Sequence, residues 1–174
     1  MNEGKKFELA FKNSVPKNIF YHRLPDPAEA FSSIRQGLRF TVKNPCDVFL
    51  FDPESRNMFA FELKSTKDTS MTYWREDFED ADKNQTFMVR KNQIQGLYKI
   101  SRFNIVSGFV FNFRYTEHTY FQSIADFLNM TNNIDKKSFN EANVLQYNGV
   151  LIQQTLMRTN YRYNVKDLLD KIKI

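Results

Sequence analysis

Two rhythms of hydrophobic and polar positions run along the chain. Over residues 2–14, NEGKKFELAFKNS, Phe7, Ala10 and Phe11 recur at helical spacing and Pro16 closes the run, which predicts a short amphipathic helix. Residues 19–24 read as extended. In 26–36, Asp26 suits an N-cap, Pro27 the first helical position and Glu29 the third residue after the cap, with Gly37 as the stop; a short helix or turn is expected. The rhythm then changes to period two. CDVFLFD at 46–52 and NMFAFELK at 57–64 are joined by a DPES turn, the pattern of a β-hairpin. Residues 67–86 are polar and read as a loop or insertion. A helix is expected over 90–103, with Ile94, Leu97, Tyr98 and Ser101 on one face, followed by strands over 105–113 and 118–122. Ser138 and Glu141 suggest a capping box for a helix through about Tyr147, ended by Gly149. A last helix over 164–172 has Asn164 as its cap. This order predicts an α/β fold over residues 1–174, one domain with helices flanking a central mixed sheet.

Composition narrows the setting. Of the 174 residues, 41% are hydrophobic and 18 are Phe, ample for a core. The formal net charge of +5 favours an anionic partner, though moderately. Cys46 has no partner for an internal disulfide, which fits a reducing cytoplasm. One cysteine with His22 and His118 argues against a Cys/His zinc site. No apolar stretch suits a signal peptide or a membrane span, so a cytoplasmic protein without membrane contact is expected.

The charges in the hairpin carry the chemistry. Strand alternation puts Met58, Ala60, Glu62 and Lys64 on one face and Phe59, Phe61 and Leu63 on the other, toward the core. Asp47 opens the partner strand, and closing the hairpin brings it toward Glu62. Two carboxylates hold Mg²⁺ through hard oxygen ligands, and the backbone carbonyl of Leu63 is a natural further ligand. Such an ion polarises a phosphodiester and acidifies a bound water, while a lysine orients that water or stabilises charge on phosphorus. Glu-x-Lys alone is equally an ordinary ion pair on a strand. Asp52 and Glu54 fall in the turn, where an Asp-Pro start is explanation enough. DADKNQ at 80–85 imitates an EF-hand loop but has Gln85 where glycine is required.

The pattern Asp47…Glu62-x-Lys64 resembles the signature of restriction-endonuclease-like nucleases. Three further stretches resemble RecU-type Holliday junction resolvases within that superfamily. They are Asn2-x-Gly4-Lys5-x-Phe7-Glu8 on the first helix, Lys91-Asn92-Gln93-Ile94-Gln95-Gly96-Leu97 after the Glu-x-Lys strand, and KKSFNEANVLQYNG followed by YRYNVKDLLDKI. The resemblance covers nearly the whole chain. It implies a restriction-endonuclease-like fold and a Mg²⁺-dependent homodimer, with Mn²⁺ as substitute, that resolves four-way DNA junctions by paired symmetrical nicks. It also implies the site: Asp47 and Glu62 as metal ligands, Glu8 supporting the metal through water, Lys64 positioning the nucleophile, and Gln93 orienting a water or the scissile phosphate. Read without it, Glu8 is a solvated acid beside Lys5 and Lys12, and Gln93 a surface amide.

In the family a stalk precedes the catalytic Asp and enters the junction. The matching stretch here, about 19–43, is short, and 73–86 resembles an insertion, both compatible with a phage version. Arg23, Arg35, Arg39 and Lys43 in that stretch are candidate DNA contacts or simple surface charge, and Phe31 and Phe40 are wedges or core. Arg158 and Arg162, beside Tyr161 and Tyr163, either line a DNA groove or face outward from an edge strand. The aromatics Phe103, Phe109, Phe111, Phe113, Tyr115, Tyr120 and Phe121 are expected to build the sheet core. Two other functions stay open: a related nuclease cutting duplex, flap or single-stranded DNA, and a catalytically silent junction-binding module.

Overall fold

A computed structural model describes residues 3–25, 44–76 and 87–174. The expected helix at 26–36, the four residues Arg35, Arg39, Lys43 and Phe40, and the DADKNQ run lie outside the described residues, as does Phe31. The elements run α1 (Glu3–Ser14), β1 (Phe20–Arg23), β2 (Val48–Asp52), β3 (Asn57–Thr66), β4 (Ser70–Thr72), α2 (Lys91–Ser101), β5 (Val106–Phe113), β6 (His118–Ser123) and α3 (Ile124–Asn133), then β7 (Ser138–Asn140), α4 (Glu141–Gln146), β8 (Val150–Leu151), β9 (Gln154–Leu156), β10 (Tyr161–Tyr163) and α5 (Val165–Ile172).

The central sheet has six strands in the order β1-β2-β3-β5-β6-β8. Only the β3–β5 pairing is parallel; the others are antiparallel. The sheet is therefore mixed, and the chain between β3 and β5 carries the α2 crossover such a pairing needs. Both faces are covered. On one, Phe7, Phe11, Val48, Leu50, Phe59, Phe61, Val110 and Leu168 pack together. On the other, Ala60, Met71, Tyr73, Ile94, Leu97, Phe109, Phe111 and Phe127 do so. Burial on both sides fits a β5 rich in Val and Phe: all eight of its residues are buried, Ser107 and Asn112 among them.

The β2–β3 hairpin forms in the expected register, with Val48 opposite Phe61 and Asp52 opposite Asn57. Asp52 organises the turn. It accepts from the Glu54 N–H at 3.0 Å, from Ser55 Oγ at 2.9 Å and from Lys166 Nζ at 3.2 Å. Lys166 also reaches Glu54 at 3.1 Å, so both turn acids serve structure.

Several expectations need correction. β1 is the edge strand of the central sheet, so 19–23 does not belong to an excursion. Within 67–86 the described part contains β4, paired with β7, and Met71 and Tyr73 there are fully buried. Tyr73 reaches into the interior because its hydroxyl finds the Lys136 carbonyl at 2.6 Å. Ser138 is not an N-cap: it lies in β7, and α4 is capped by Asn140, whose Oδ1 accepts from the Asn143 N–H at 3.0 Å. α3 was not anticipated. Phe103 and Tyr115 are exposed rather than core. Phe103 and Tyr115 sit in turns, next to Asn104 and two residues before Glu117, each with φ of 58°. α5 and its Asn164 cap are as expected; Asn164 Oδ1 accepts from the Asp167 N–H at 3.2 Å.

Candidate active site

β2 begins one residue after Asp47. The Asp47 N–H donates to the Phe61 carbonyl at 3.1 Å, so the ladder carries Asp47 up to Glu62. Its carboxylate then turns across the strand end and Oδ2 accepts from the Leu63 N–H at 2.7 Å. In a strand a residue's N–H and C=O leave on the same edge. The Leu63 carbonyl is thereby directed toward the side that holds Asp47.

Glu62 is 3% exposed, on the face that carries α2. Its Oε1 accepts from Lys64 Nζ at 2.9 Å and from Gln93 Nε2. Gln93 is the third residue of α2, and its Oε1 accepts from the Arg90 N–H at 2.9 Å. One side chain therefore caps its own helix and holds Glu62. The capping bond fixes which end of the amide faces the carboxylate.

Burial, the largest cause, pushes the Glu62 carboxyl above the usual carboxylate range. Lys64 pulls it back, and Asp47, within hydrogen-bonding reach, pushes it further up. Two carboxyl groups crowded at one buried point, with one lysine between their demands, are the donor set that a hard divalent cation fits. A divalent cation there would relieve the like-charge repulsion that a lone pair of carboxylates suffers.

Asp47, Glu62, Lys64 and Gln93 are brought together. Glu8 lies on α1, on the opposite face, and is held by Arg23: Oε2 accepts from Nε at 3.2 Å and from Nη2 at 3.1 Å. The two acids are nonetheless neighbours around Tyr21. Burial raises that phenol to about 12, Arg23 opposes the rise, and Glu8 and Asp47 both add to it. Among the described residues no group of three or more His, Cys, Asp or Glu converges as a ready metal cage. Arg158 and Arg162 are exposed, at the tip and on the outer side of the β9–β10 hairpin.

Gly96 contributes in a way the sequence reading missed. A Cβ there would lie 2.5 Å from the Pro45 carbonyl oxygen and 2.8 Å from its Cα. α2 thus docks directly on the backbone two residues before Asp47, with Gln93 one turn away. A glycine inside a helical pattern was the available signal. Gly96→Ala is expected to push α2 outward and loosen Gln93 from Glu62, which, for the function proposed below, lowers turnover about 10²-fold with substrate affinity largely kept. Equal loss of affinity and turnover would argue against this positioning role.

Cys46 is 1% exposed and its thiol is pushed up to about 12, by burial first and then by Glu62 and Asp47. It should react with a thiol reagent only as fast as the protein opens, with a rate that rises steeply in denaturant. Rapid labelling of the folded chain would contradict the packing around the site.

No family model matches the chain. Among curated proteins it is similar to the SPbeta prophage-derived uncharacterized protein YotM of Bacillus subtilis (strain 168), at 28% identity over 185 aligned positions, covering 98% of this chain and 87% of the relative. Among solved structures it is similar to Hjc of Archaeoglobus fulgidus, a Holliday junction resolvase from an archaeal hyperthermophile. The TM-score is 0.44 with 14% identity, over 77% of this chain and 83% of that one.

Proposed function

We propose that this chain is a Mg²⁺-dependent endonuclease of the restriction-endonuclease-like superfamily that nicks branched DNA, four-way junctions foremost, as a homodimer. The carrying observation is the meeting of Asp47, Glu62, Lys64 and Gln93 at one end of the β2–β3 hairpin. The succession α1, β2, β3, α2, β5, with an acid at the mouth of β2 and Glu-x-Lys in β3, is the arrangement that the resemblance to RecU-type resolvases implies. The prophage provenance of the Bacillus relative supports a role in phage DNA processing.

The roles follow from the contacts. Asp47 and Glu62, with the Leu63 carbonyl, would hold the ion, and Mn²⁺ would serve in its place. When bound, the ion supplies Lewis-acid polarisation of the phosphodiester and an acidified water. The chain does the rest. The Leu63 N–H fixes the Asp47 rotamer. Gln93 keeps Glu62 in place from the helix side. Lys64, only 16% exposed at its side chain, holds an ammonium next to the point where charge develops on the phosphate oxygens. Glu8, steered by Arg23, would act at one remove through water. Arg158 and Arg162 are offered as phosphate contacts outside the site. A junction has two-fold symmetry and needs two cuts, which suits a two-fold dimer.

The test is one gel comparing labelled four-way junction, flap, duplex and single strand with Mg²⁺, Mn²⁺ or EDTA. Paired nicks in the junction, lost in EDTA, are expected. Cleavage confined to another substrate would redirect the assignment within the superfamily, and junction binding without any product would indicate a silent module.

A further inference from the structure

Three strands of the central sheet leave an apolar row open to solvent. Strand pairing puts Phe20 opposite Phe51 and Phe51 opposite Met58, so β1, β2 and β3 present these side chains side by side on one face. That face is the one Glu62 occupies, because Met58, Ala60 and Glu62 alternate along β3. The next row toward the site is sealed: Ala60 is buried in the core that α2 covers, and Phe49 packs against it. The outer row is not. Phe20 is 59% exposed, Phe51 38% and Met58 37%. Because Phe59 pairs with Val106, the turn that leads into β5 lies beside Met58, and Phe103 in that turn is 71% exposed. β1 is the edge of the sheet, so among the described residues no strand lies beyond Phe20. The His22 ring stacks on Phe20, with centroids 6.3 Å apart and planes 7° apart, which restrains the outermost ring before anything binds.

The exposed parts of these four side chains amount to about 400 Å², taking about 200 Å² for each whole side chain. A patch of that size on a soluble chain marks a binding surface. It is about half of the roughly 800 Å² that each partner contributes to a stable interface. Its chemistry selects the occupant. Three phenyl rings and a thioether carry no charge and no strong hydrogen-bonding group, so a phosphate backbone gains nothing there. Aromatic residues and Met without charge are the composition of a protein interface core. A two-fold contact requires only that the patch complement itself, which a flat apolar row does. Position agrees. Phe51 lies four residues from Asp47, and Met58 four from Glu62, about 13 Å along their strands. With two sheet faces packed about 10 Å apart, an axis through the row leaves both sites outside the contact and roughly 25–30 Å from each other.

We infer that the row Phe20–Phe51–Met58, extended by Phe103, is the surface on which a second copy of this chain docks, face to face about a two-fold axis. The surface stands without the nuclease; its use, one site on each side of the axis for paired nicks, rests on that reading. The test is sedimentation equilibrium of the full-length protein in EDTA without DNA. A dimer is expected at micromolar concentration. Phe51→Lys and Phe20→Glu each bring like charges to a self-complementary contact and should weaken it at least about hundredfold. Leu156→Lys, at an exposed apolar position on β9, should leave it unchanged. Melting curves of each variant separate loss of the contact from loss of the fold. A monomer at every concentration, an unchanged dimer in folded Phe51→Lys and Phe20→Glu, or a dimer lost only in Leu156→Lys would overturn the inference. A monomer whose binding to branched DNA falls in both Phe variants would assign the face to DNA and overturn it equally. A dimer lost in both Phe variants, with no Mg²⁺-dependent nicking by the parent chain, would support the surface and remove the nuclease; nicking by a dimer indifferent to both would do the reverse.

Discussion

Asp47→Asn is expected to lower Mg²⁺-dependent nicking of a four-way junction by at least about 10²–10³-fold, the scale on which a single electrostatic stabiliser at a reacting centre is felt. The substitution is chosen for what it keeps. The Asn amide oxygen can still accept from the Leu63 N–H that Asp47 Oδ2 now holds at 2.7 Å, so the strand end stays closed. What disappears is one negative charge beside buried Glu62. Junction affinity and melting temperature should therefore be unchanged or slightly raised, because a like-charge contact has gone. Lys64→Ala should give a comparable loss of rate by a different route, removing the ammonium 2.9 Å from Glu62. Wild-type rates in either variant would show that the cluster is a structural ion pair.

The second large effect concerns the fold. Gly108→Ala, in the middle of β5, is expected to lower the melting temperature by about 5–10 °C. A Cβ at this position would lie 2.2 Å from the Gln122 carbonyl oxygen and 2.8 Å from a Phe121 ring carbon. The obstacle includes strand backbone in a sheet covered on both faces, so relief requires β5 and β6 to separate. Overpacking of this kind costs about 1–3 kcal/mol or more, and each kcal/mol is about 2–4 °C for a chain of this size. The stiffening of the unfolded chain that alanine brings, at most about 1 kcal/mol, does not offset it. A change within 2 °C, measured by calorimetry, would mean that the β5–β6 approach is looser than described.

The hairpin and its charges were legible because period two and a turn together fix register. Once Asp52 faces Asn57, Asp47 must arrive beside Glu62. That Gln93 belongs near Glu62 was legible only through resemblance, since a glutamine on a helix has no intrinsic signal, and its bond to Glu62 was not expected. Its second bond, to the Arg90 N–H, depends on where the helix starts. Non-local pairing hid the rest. β4 is three residues long and gains its stability from β7, some 66 positions onward, with Met71 opposite Phe139. That same pairing takes Ser138 into a strand and hands the cap to Asn140. α3 follows β6 without a connecting turn: Ser123 ends the strand and caps the helix, its Oγ accepting from the Asp126 N–H at 3.1 Å. With no turn residue between the two rhythms, Ile124, Phe127 and Met130 were not read as a helical face. The Ser65–Asn112–Thr119 hydrogen bonds join three strands and have no local pattern at all.

On the proposed function, Asp47 and Glu62 jointly hold a catalytic divalent ion. Crystals of the full-length protein grown with Mn²⁺ and measured at the manganese edge address it directly. An anomalous peak is expected between the two carboxylates, within bonding distance of the Leu63 carbonyl. A peak elsewhere with none at Asp47 and Glu62, under conditions that support cleavage, would contradict it.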